Sequence, residues 1–477
     1  MEKLLEVVRC PFCGGELAPG GREHEWNGAI YSILSCRCGS YPVVAGIPIL
    51  KRDRIGLTHT AGEVKALIEA GRCEDALLAM LTYPPHPDSL APSWARALPS
   101  IRGAGRLKSL LGRPGIRRWR RETRDLLTRP IAQTSERDFL EWYFLRSGAY
   151  SEEHRSGNYD YFMLRVGQPR YLAALSLAKA VHSADGPVLD LACGFGHLTR
   201  HLARWSEGQV VLGIDCDFVQ IYVAKNFIAP DAYYACAAAD VSIPVADRSC
   251  VLAFCSDAFH HFFHQANCMR ELRRLIREDG VILVATIRNC LVKKDLYKGI
   301  LPMLGPDGYH ALAGDMPHRL VDNRAVMERY LNKLGPQLAS QVPASDLEEA
   351  QWLSLVASYR ADVFEDHPAF VDWPHMEESR VALNAVYVDS GKDASGNTVL
   401  RRSFPSSWYE QENASEDGRY VPGSVTVSPE QMRDIMRGLR TARLERLIQQ
   451  GVVVGLPDNS RSPARSREHA HAPALTQ

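Results

Sequence analysis

One stretch, VLDLACGFGHLT at residues 188–199, constrains the fold of this chain more than any other. An apolar run contains Asp190, two glycines (Gly194 and Gly196) follow it, and a helical pattern starts at His197. This order of residues predicts a buried parallel strand, a tight glycine loop and the start of a helix. Such a junction presents unpaired N–H groups and the positive end of a helix dipole to a ligand above it.

The spacing around the glycines indicates which ligand the loop binds. A dinucleotide-binding loop has a third glycine three residues after the second, but Thr199 stands at that position. Asp190 lies four residues before the first glycine. A carboxylate at that position repels a pyrophosphate and attracts an ammonium group. The spacing therefore favours S-adenosylmethionine (SAM), which has an ammonium group and ribose hydroxyls, over a nicotinamide dinucleotide.

Strands and helices alternate beyond this loop. Apolar runs predict strands at 210–215, 250–256 and 281–286. An amphipathic helix at 268–279 precedes the last of them. The alternation specifies a parallel sheet with helices on both faces, so the predicted fold class is α/β, a Rossmann-like doubly wound sheet. Asp215 ends the second strand, where a carboxylate accepts ribose hydroxyls; capping of the next helix is the alternative role.

Residues 158–290 resemble a class I SAM-dependent methyltransferase, of the methyltransferase type 11-like group. The resemblance implies SAM as the cofactor and methyl transfer as the reaction. It also implies that Asp240 hydrogen-bonds the adenine amino group and that the backbone N–H of Val241 binds the adenine ring. The cofactor-binding residues expected on this basis are Tyr161, Arg165, Asp190, Ala192, Cys193, Gly194, Gly196, Asp215, Asp240, Val241 and Ser256.

The segment before the loop, residues 157–178, supplies several aromatic residues and an arginine. Methyltransferases of this class use the corresponding segment to cover the cofactor. The resemblance therefore implies that Arg165 pairs with the methionine carboxylate and that Tyr159 or Tyr161 lines the methyl pocket. Packing of these aromatics in a core is the alternative.

His260 and His261 follow the strand at 250–256, at the end where the donor methyl group faces the acceptor. Histidine is the side chain most easily tuned to deprotonate a hydroxyl near neutral pH. These two residues are therefore the candidate catalytic residues, and shaping of the pocket is their alternative role.

Four cysteines near the N-terminus have the spacing of metal ligands. Cys10 and Cys13 form a CxxC pair, and Cys36 and Cys38 form a CxC pair; glycine follows each pair. Two such corners supply four thiolates and leave no open coordination position, which predicts one structural Zn²⁺ per chain. Unrelated reduced thiols are the alternative. The sequences CPFCGGEL and CGSYPVVAGIPIL resemble the small zinc-ribbon family that activates methyltransferases, either as a separate subunit or fused ahead of one.

The pattern of the whole chain gives six segments. They are a zinc ribbon (1–52), a helical connector (53–150), the SAM-binding core (151–290), an inserted acceptor-site cap with a β-hairpin at 381–388 and 397–404 (291–427), a closing helix and strand of the core (428–456), and a disordered tail (457–477). Within the connector we predict two helices broken at Gly71. Within the cap we predict helices near 322–333 and 346–358.

The basic run at 101–130 has two interpretations. It contains ten Arg or Lys residues, with Arg117, Arg118 and Arg121 beside Trp119. Arginine next to an aromatic ring suits phosphate binding and base stacking. An amphipathic helix with a solvated face is the simpler interpretation, because charge runs commonly face water.

The twelve cysteines are sparse for this length and favour a cytoplasmic, reducing location, while charge and hydropathy argue against a membrane segment and an anionic partner. The 56 basic and 56 acidic residues balance, so no overall field attracts nucleic acid or an anionic membrane. No stretch approaches the ~18 apolar residues of a membrane helix, and residues 1–13 do not resemble a secretory signal.

The function predicted from the sequence is methyl transfer from SAM to an O, N or C nucleophile of a small-molecule or sugar-containing metabolite. The balanced charge and the large C-terminal insertion favour such an acceptor. A methyltransferase acting on RNA or protein is the alternative, because of the zinc ribbon and the basic run. A SAM-binding scaffold without catalytic activity is an alternative of another class.

Overall fold

The computed structural model describes residues 1–52, 54–55, 59–82, 91–96, 104–145, 159–239, 242–292, 301–377 and 380–456. The chain divides into two compact units. The first comprises Met1–Leu17, Cys36–Cys38 and Asp160–Gln477, and the second comprises Ala18–Ser35 and Gly39–Tyr159. The tail at 457–477 lies outside the described residues, so its expected lack of regular structure stays a prediction.

The secondary-structure elements are numbered in chain order. The strands are β1 (Ala18–Pro19), β2 (His24–Trp26), β3 (Ala29–Cys36), β4 (Gly39–Val44), β5 (Ile47–Pro48), β6 (Val188–Leu191), β7 (Val211–Asp215), β8 (Tyr233–Cys236), β9 (Cys250–Ser256), β10 (Ile276–Arg288), β11 (His318–Asp322), β12 (Trp352–Ser358), β13 (Arg380–Leu383), β14 (Tyr387–Lys392), β15 (Thr398–Arg402), β16 (Ser424–Val427) and β17 (Val453–Leu456). The helices are α1 (Glu2–Val7), α2 (Ala61–Glu69), α3 (Cys73–Leu81), α4 (Ser93–Arg96), α5 (Ala104–Leu127), α6 (Glu136–Leu145), α7 (Pro169–Val181), α8 (His197–Trp205), α9 (Phe218–Val223), α10 (Gln265–Leu275), α11 (Pro306–Ala313), α12 (Asn323–Tyr330), α13 (Ser407–Tyr420), α14 (Pro429–Arg437) and α15 (Glu445–Gln449).

A seven-stranded sheet forms the core of the first unit, in the order β8-β7-β6-β9-β10-β12-β11. The strands from β8 to β10 run parallel, whereas β12 is antiparallel to both of its neighbours. Every residue of β6 and β12 is buried, as expected for strands covered on both faces. The sheet confirms the predicted α/β doubly wound fold and brings the carboxyl ends of β6, β7 and β9 to one edge.

The boundary between α10 and β10 differs from the prediction of a helix at 268–279. The helix ends at Leu275, and the strand begins at the next residue, because Ile276 pairs with Cys250 of β9. The register of this pairing shifts between Ile276 and Val281. The charged residues 277–279 lie where the register shifts, and Glu278 and Asp279 are exposed. These charges resemble the polar face of a helix in the sequence, but they belong to an irregular part of the strand.

The strand predicted to end the 428–456 segment forms as β17, but its predicted place in the core sheet is wrong. β17 pairs with β13 in a separate two-stranded sheet, and the two antiparallel strands that complete the core are β11 and β12. Both come from inside the segment predicted as a cap. The helix predicted near 346–358 is likewise wrong, because Trp352–Ser358 is a fully buried strand between β10 and β11. Its apolar run fits a helix or a strand equally well, and its neighbours in the sheet decide.

The rest of the C-terminal part forms smaller elements. The helix predicted near 322–333 is confirmed by α12. Of the hairpin predicted at 381–388 and 397–404, only the part between β14 and β15 forms. The first predicted strand is divided, because β13 pairs with β17 instead. The helix predicted to begin at Ser428 has the expected capping box, but it stops at Gly438, which has a left-handed backbone (φ +69°). α15 is a separate helix after it.

The second unit contains a five-stranded sheet and the five helices α2 to α6 among its described residues. The sheet has the order β1-β3-β4-β5, with β2 paired to β3. The two helices predicted around Gly71 are confirmed by α2 and α3, and Gly71 itself has a left-handed backbone (φ +69°). The basic run forms α5, on which Arg117, Arg118 and Arg121 are exposed.

Among the helices that the structure describes, none combines the length and the apolar character needed to cross a membrane.

Candidate functional site

The loop between β6 and α8 has the backbone that the glycine pattern predicts. Ala192, Gly194 and Gly196 all adopt left-handed conformations, with φ of +55°, +55° and +76°. A Cβ at Gly196 would lie 2.8 Å from the Cβ of Ala224, so a side chain does not fit there. Cys193 anchors the loop, since its N–H donates to Ile214 O of β7 at 3.1 Å. α8 begins at the next residue after Gly196 and has no side-chain cap, which leaves its N-terminus directed at the loop.

Asp190 and Thr199 form a buried pair beneath this loop. The Thr199 hydroxyl donates to Asp190 Oδ2 at 2.6 Å, and both residues are fully buried. Burial raises the pKa of Asp190 to about 7, against the opposing effect of the Thr199 hydrogen bond. Thr199, the residue that replaces the third glycine of a dinucleotide loop, is therefore the partner of the carboxylate that distinguishes this loop.

Asp215 closes the loop from the neighbouring strand. Its Oδ2 accepts the N–H of Gly194 at 2.9 Å, and its Oδ1 accepts the N–H of Asp217 at 2.9 Å. Burial raises the pKa of Asp215, and these two backbone N–H groups oppose that effect. Asp217, not Asp215, caps the next helix, because its side chain accepts from Val219 N. The structure therefore brings Asp215 to the cofactor loop.

The remaining predicted cofactor residues are placed only in part. Asp240 and Val241 lie outside the described residues, so their contacts with adenine stay predictions. Ser256 ends β9 at the same edge of the sheet as the loop, and its Oγ is buried without a hydrogen-bond partner in the described part of the chain.

Arg165 and Tyr161 lie at this edge but contact a residue that the sequence did not single out. Arg165 donates to Asp257 Oδ2 at 2.7 Å and to Gln168 Oε1 at 2.9 Å. The Tyr161 hydroxyl lies 3.3 Å from the same Asp257 oxygen. The arginine that we expect to meet the methionine carboxylate is thus paired with a buried aspartate directly after β9.

The two candidate catalytic histidines differ in their surroundings. His260 is buried, with its ring 6.1 Å from the Trp352 ring, and burial lowers its pKa to about 3. His261 is exposed, and its pKa is lowered by partial burial of the ring. Both are therefore neutral imidazoles near pH 7, the form that accepts a proton.

A set of buried charged side chains around Trp352 lies beside the histidines, and of its members the sequence pointed only to Arg165. It consists of Arg165, Arg170, Asp257, Arg288, Trp352 and Glu412, here called the buried arginine cluster. Asp257 and Arg288 have a sequence signal, since each stands at the carboxyl end of a predicted strand. Glu412 has none, because it lies 124 residues from Arg288, to which it is ion-paired.

The four N-terminal cysteines come together as the spacing predicts. The Sγ atoms of Cys10, Cys13, Cys36 and Cys38 all lie within 4.8 Å of one another. A zinc ion at about 2.3 Å from four sulfurs needs separations of this size, so the donor set fits a tetrahedral thiolate site. The N–H of Phe12 donates to Cys10 Sγ at 3.4 Å, a hydrogen bond that favours the thiolate form of this sulfur.

The glycine loop, Asp190, Asp215 and the strand order together define an α/β domain with the fold of a class I methyltransferase. Residues 189–284 match the model of a family described as a methyltransferase domain. This match, together with the sheet topology, confirms the predicted class I methyltransferase fold for that stretch.

Similar proteins cover parts of the chain. A malonyl-[acyl-carrier protein] O-methyltransferase from Marinomonas sp. (strain MWYL1) is 28% identical over 139 residues, which are 28% of this chain and 49% of that protein. The chain therefore spans about half the length of this curated relative.

Solved structures resemble the chain more distantly. One, from the complex between the Haloferax volcanii Trm112 methyltransferase activator and a candidate methyltransferase, is 14% identical with a TM-score of 0.32 and covers 43% of this chain and 94% of its own. A SAM-dependent methyltransferase from Aquifex aeolicus is 14% identical with a TM-score of 0.29 and covers 42% of this chain and 97% of its own.

Proposed function

We propose that the protein is a SAM-dependent methyltransferase whose acceptor is a small molecule or a sugar-containing metabolite. The observation that carries the proposal is the position of Asp215, which is tied to the N–H of Gly194 at the carboxyl end of β7. A carboxylate held there suits ribose hydroxyls, and Asp190 on the neighbouring strand β6 suits an ammonium group. Methyl transfer is an in-line displacement, so the protein contributes chiefly by placing the two reactants together.

The surroundings of the loop support the roles proposed for its neighbours. Tyr161 and Arg165 precede α7 and contact Asp257 directly after β9, at the edge where the acceptor would meet the methyl group. His261 is the candidate base for an acceptor that must lose a proton, because burial lowers the pKa of His260 to about 3 and suits that residue to shaping the pocket. The Marinomonas relative is named an O-methyltransferase, and transfer to oxygen is consistent with this arrangement.

We also propose that the cysteine cluster holds one structural zinc ion. Four thiolates leave no coordination position for a substrate, so the ion would stabilise the fold and take no part in the reaction. Within the first unit, the N-terminal segment that carries Cys10 pairs with residues 244–246, because Arg9 N donates to Pro244 O at 2.9 Å and Ala246 N donates to Val7 O at 2.8 Å.

Calorimetry with S-adenosylhomocysteine tests the cofactor assignment. We expect binding by the full chain and loss of that binding in Asp215→Ala, whereas Asp362→Ala, at a surface ion pair, serves as the matched control. Binding of NADH in place of S-adenosylhomocysteine would refute the proposal.

Transfer of labelled methyl from SAM into fractionated cell extract tests the reaction. We expect the label in the metabolite fraction. Label in RNA or protein would support the alternative acceptor class, and tight cofactor binding without any transfer would support a non-catalytic scaffold.

A second candidate, methylation of RNA, is favoured by the exposed arginines of α5. Phosphate contacts make binding fall steeply with salt. If RNA is the acceptor, binding to the protein falls steeply as salt rises and is lost when Arg117, Arg118 and Arg121 are reversed in charge. Salt-independent or undetectable binding would support the metabolite proposal.

A further inference from the structure

Helix α5 concentrates positive charge in a chain whose total charge balances. It contains eight Arg or Lys residues against two acidic residues. An excess of this size attracts anions over about one Debye length, which is about 10 Å at roughly 0.1 M salt. The balance of the whole chain argues against an anionic partner for the molecule at large, but it does not describe the surface of this helix.

Packing determines which face of α5 is covered. The indole Nε1 of Trp142 on α6 donates to Thr123 Oγ1 at 3.2 Å, and both side chains are buried. Leu127, one turn further along the same face, is also buried. Directly after the helix, Asn27 Nδ2 donates to Arg129 O at 3.2 Å. These contacts hold one face of α5 against its own unit and leave another face to solvent.

The solvent face of α5 is a row of side chains that recur every three or four residues. This spacing places them on one side of a helix. They are all exposed, and they are Arg106, Leu110, Arg113, Arg117, Arg121 and Arg124. The row is therefore basic along its whole length, with one leucine inside it.

Most of the α5 arginines are not neutralised by a neighbouring carboxylate. Arg118 pairs with Glu122 and Arg124 pairs with Glu74. The exposed α5 arginines without an ion-pair partner in the described part of the chain are Arg106, Arg113, Arg117, Arg120 and Arg121. Exposed guanidinium groups are well suited to phosphate, because they donate two parallel hydrogen bonds to it.

Apolar side chains are exposed beside these arginines. Leu107 and Leu110 on α5 are 44% and 55% exposed, and Trp94 on α4, which packs against α5, is 61% exposed. The surface of a bilayer offers both phosphates and apolar chains, so it matches a helix that exposes arginine and leucine together. Single-stranded RNA instead needs exposed aromatic rings for stacking, and Trp119, the aromatic residue of α5, is partly buried.

We propose that α5 is a docking site for the surface of an anionic lipid bilayer. The unpaired arginines contact lipid phosphates, and Leu107 and Leu110 enter the boundary between headgroups and acyl chains. Docking of this kind holds the chain at the membrane surface without spanning the membrane, and it does not depend on methyl transfer.

Flotation with lipid vesicles tests the proposal on the full chain. Vesicles of phosphatidylcholine alone are compared with vesicles that also contain phosphatidylserine. We expect the protein to float only with the anionic vesicles, and the bound fraction to fall as salt rises. Absence of binding to the anionic vesicles at low salt, or equal binding to both compositions, overturns the proposal.

Removal of three arginines from the row tests the electrostatic contribution. The variant combines Arg113→Gln, Arg117→Gln and Arg121→Gln. A basic residue near an anionic bilayer contributes about five-fold to affinity, so we expect vesicle affinity to fall roughly 100-fold. Lysine at the same three positions keeps the charge and should restore most of the affinity.

A matched control removes the same charge elsewhere. It combines Arg248→Gln, Arg433→Gln and Arg437→Gln, at exposed positions outside α5. We expect its vesicle affinity to match that of the unmodified protein. Melting temperatures of the two triple variants show whether each is folded. An equal loss of affinity in both folded variants contradicts a docking site on α5.

The leucines separate a bilayer from a nucleic acid. Leu107→Ser combined with Leu110→Ser changes only exposed side chains, so the fold should be retained even if the arginine variant is unstable. We expect this variant to lose roughly ten-fold or more in vesicle affinity, because less apolar surface leaves water. Undiminished vesicle affinity contradicts the proposal. Binding of a single-stranded RNA oligonucleotide at a salt concentration where anionic vesicles do not bind would assign the helix to nucleic acid and overturn the proposal.

Discussion

Asp190 is a carboxyl group that the fold holds close to its point of ionisation. Its burial raises the pKa, and the single hydroxyl of Thr199 opposes that effect only in part. A buried carboxyl with a pKa of about 7 is protonated in acid and ionised above neutrality. Binding of an ammonium group beside it requires the ionised form.

The first prediction is therefore a pH dependence of cofactor affinity. Below pH 7 the ligand must displace a proton from Asp190, so affinity rises with pH until about pH 7, the pKa of that carboxyl, and then levels off. Calorimetric titration with S-adenosylhomocysteine measures how the affinity changes with pH. A range from roughly pH 5 to 8 covers both protonation states of Asp190. Asp190→Asn should remove the slope and lower the affinity, and a slope that persists in this variant would assign the proton to another group.

The second prediction concerns Asp257, which has a left-handed backbone (φ +56°) and is shared by two arginines and Tyr161. Asparagine tolerates this backbone and has the same shape, so Asp257→Asn removes little besides the charge. Loss of one member of a buried ion pair typically lowers the free energy of unfolding by about 3–5 kcal/mol. Denaturant unfolding measures the loss.

Asp362→Asn is the control for this prediction, because it breaks an exposed pair with Arg360. An exposed pair contributes about 0–1 kcal/mol. Equal losses in the two variants would mean that the charge of Asp257 is not what stabilises the site.

At the scale of single elements, α1 and the first cysteine pair are tied to the segment after β8. Val8 pairs with Val245, and Arg9 N donates to Pro244 O at 2.9 Å. The residues expected to bind adenine, 240 and 241, lie immediately before that segment. A metal ion that holds Cys10 in place would thus also hold residues 244–246, which follow the residues expected to bind adenine.

The third prediction follows from this connection. The purified protein should contain one zinc ion per chain, and Cys38→Ser should lower the zinc content, the melting temperature and the affinity for S-adenosylhomocysteine. Elemental analysis and calorimetry measure these changes. Cys290→Ser, at a cysteine outside the cluster, should change none of them. Full affinity in a zinc-free protein would show that the metal does not order this loop.

The elements also show how far the sequence determines the fold and site. The cofactor loop was predictable because its signals are local: a strand, left-handed glycines and a helix start lie within twelve residues. The cysteine cluster was predictable because thiolate spacing is itself the signal. β12 was not, because its apolar run has the same pattern in a helix and in a strand. The ion pair between Arg288 and Glu412 was not, because no local pattern relates residues 124 positions apart.

At the scale of the whole molecule, the core sheet is assembled from distant parts of the chain. β6 to β10 form its parallel part, but β11 and β12 cover the open edge of β10 from a segment that also carries α11 and α12. Gln168, directly before α7, donates to the Tyr409 hydroxyl on α13 at 3.0 Å. The core sheet and its packing therefore extend beyond residue 284, where the family match ends.

The fourth prediction tests this assembly by truncation. A fragment of residues 151–290, the core expected from the sequence, leaves the apolar edge of β10 unpaired, because β12 is its neighbour. Unpaired edges of buried strands associate with other chains, so we expect this fragment to be insoluble or aggregated. A fragment of residues 151–456 retains β11, β12 and α13, and we expect it to unfold cooperatively and to bind S-adenosylhomocysteine. Size-exclusion chromatography and thermal unfolding distinguish the two, and a monomeric, cofactor-binding 151–290 fragment would show that β11 and β12 are dispensable to the core.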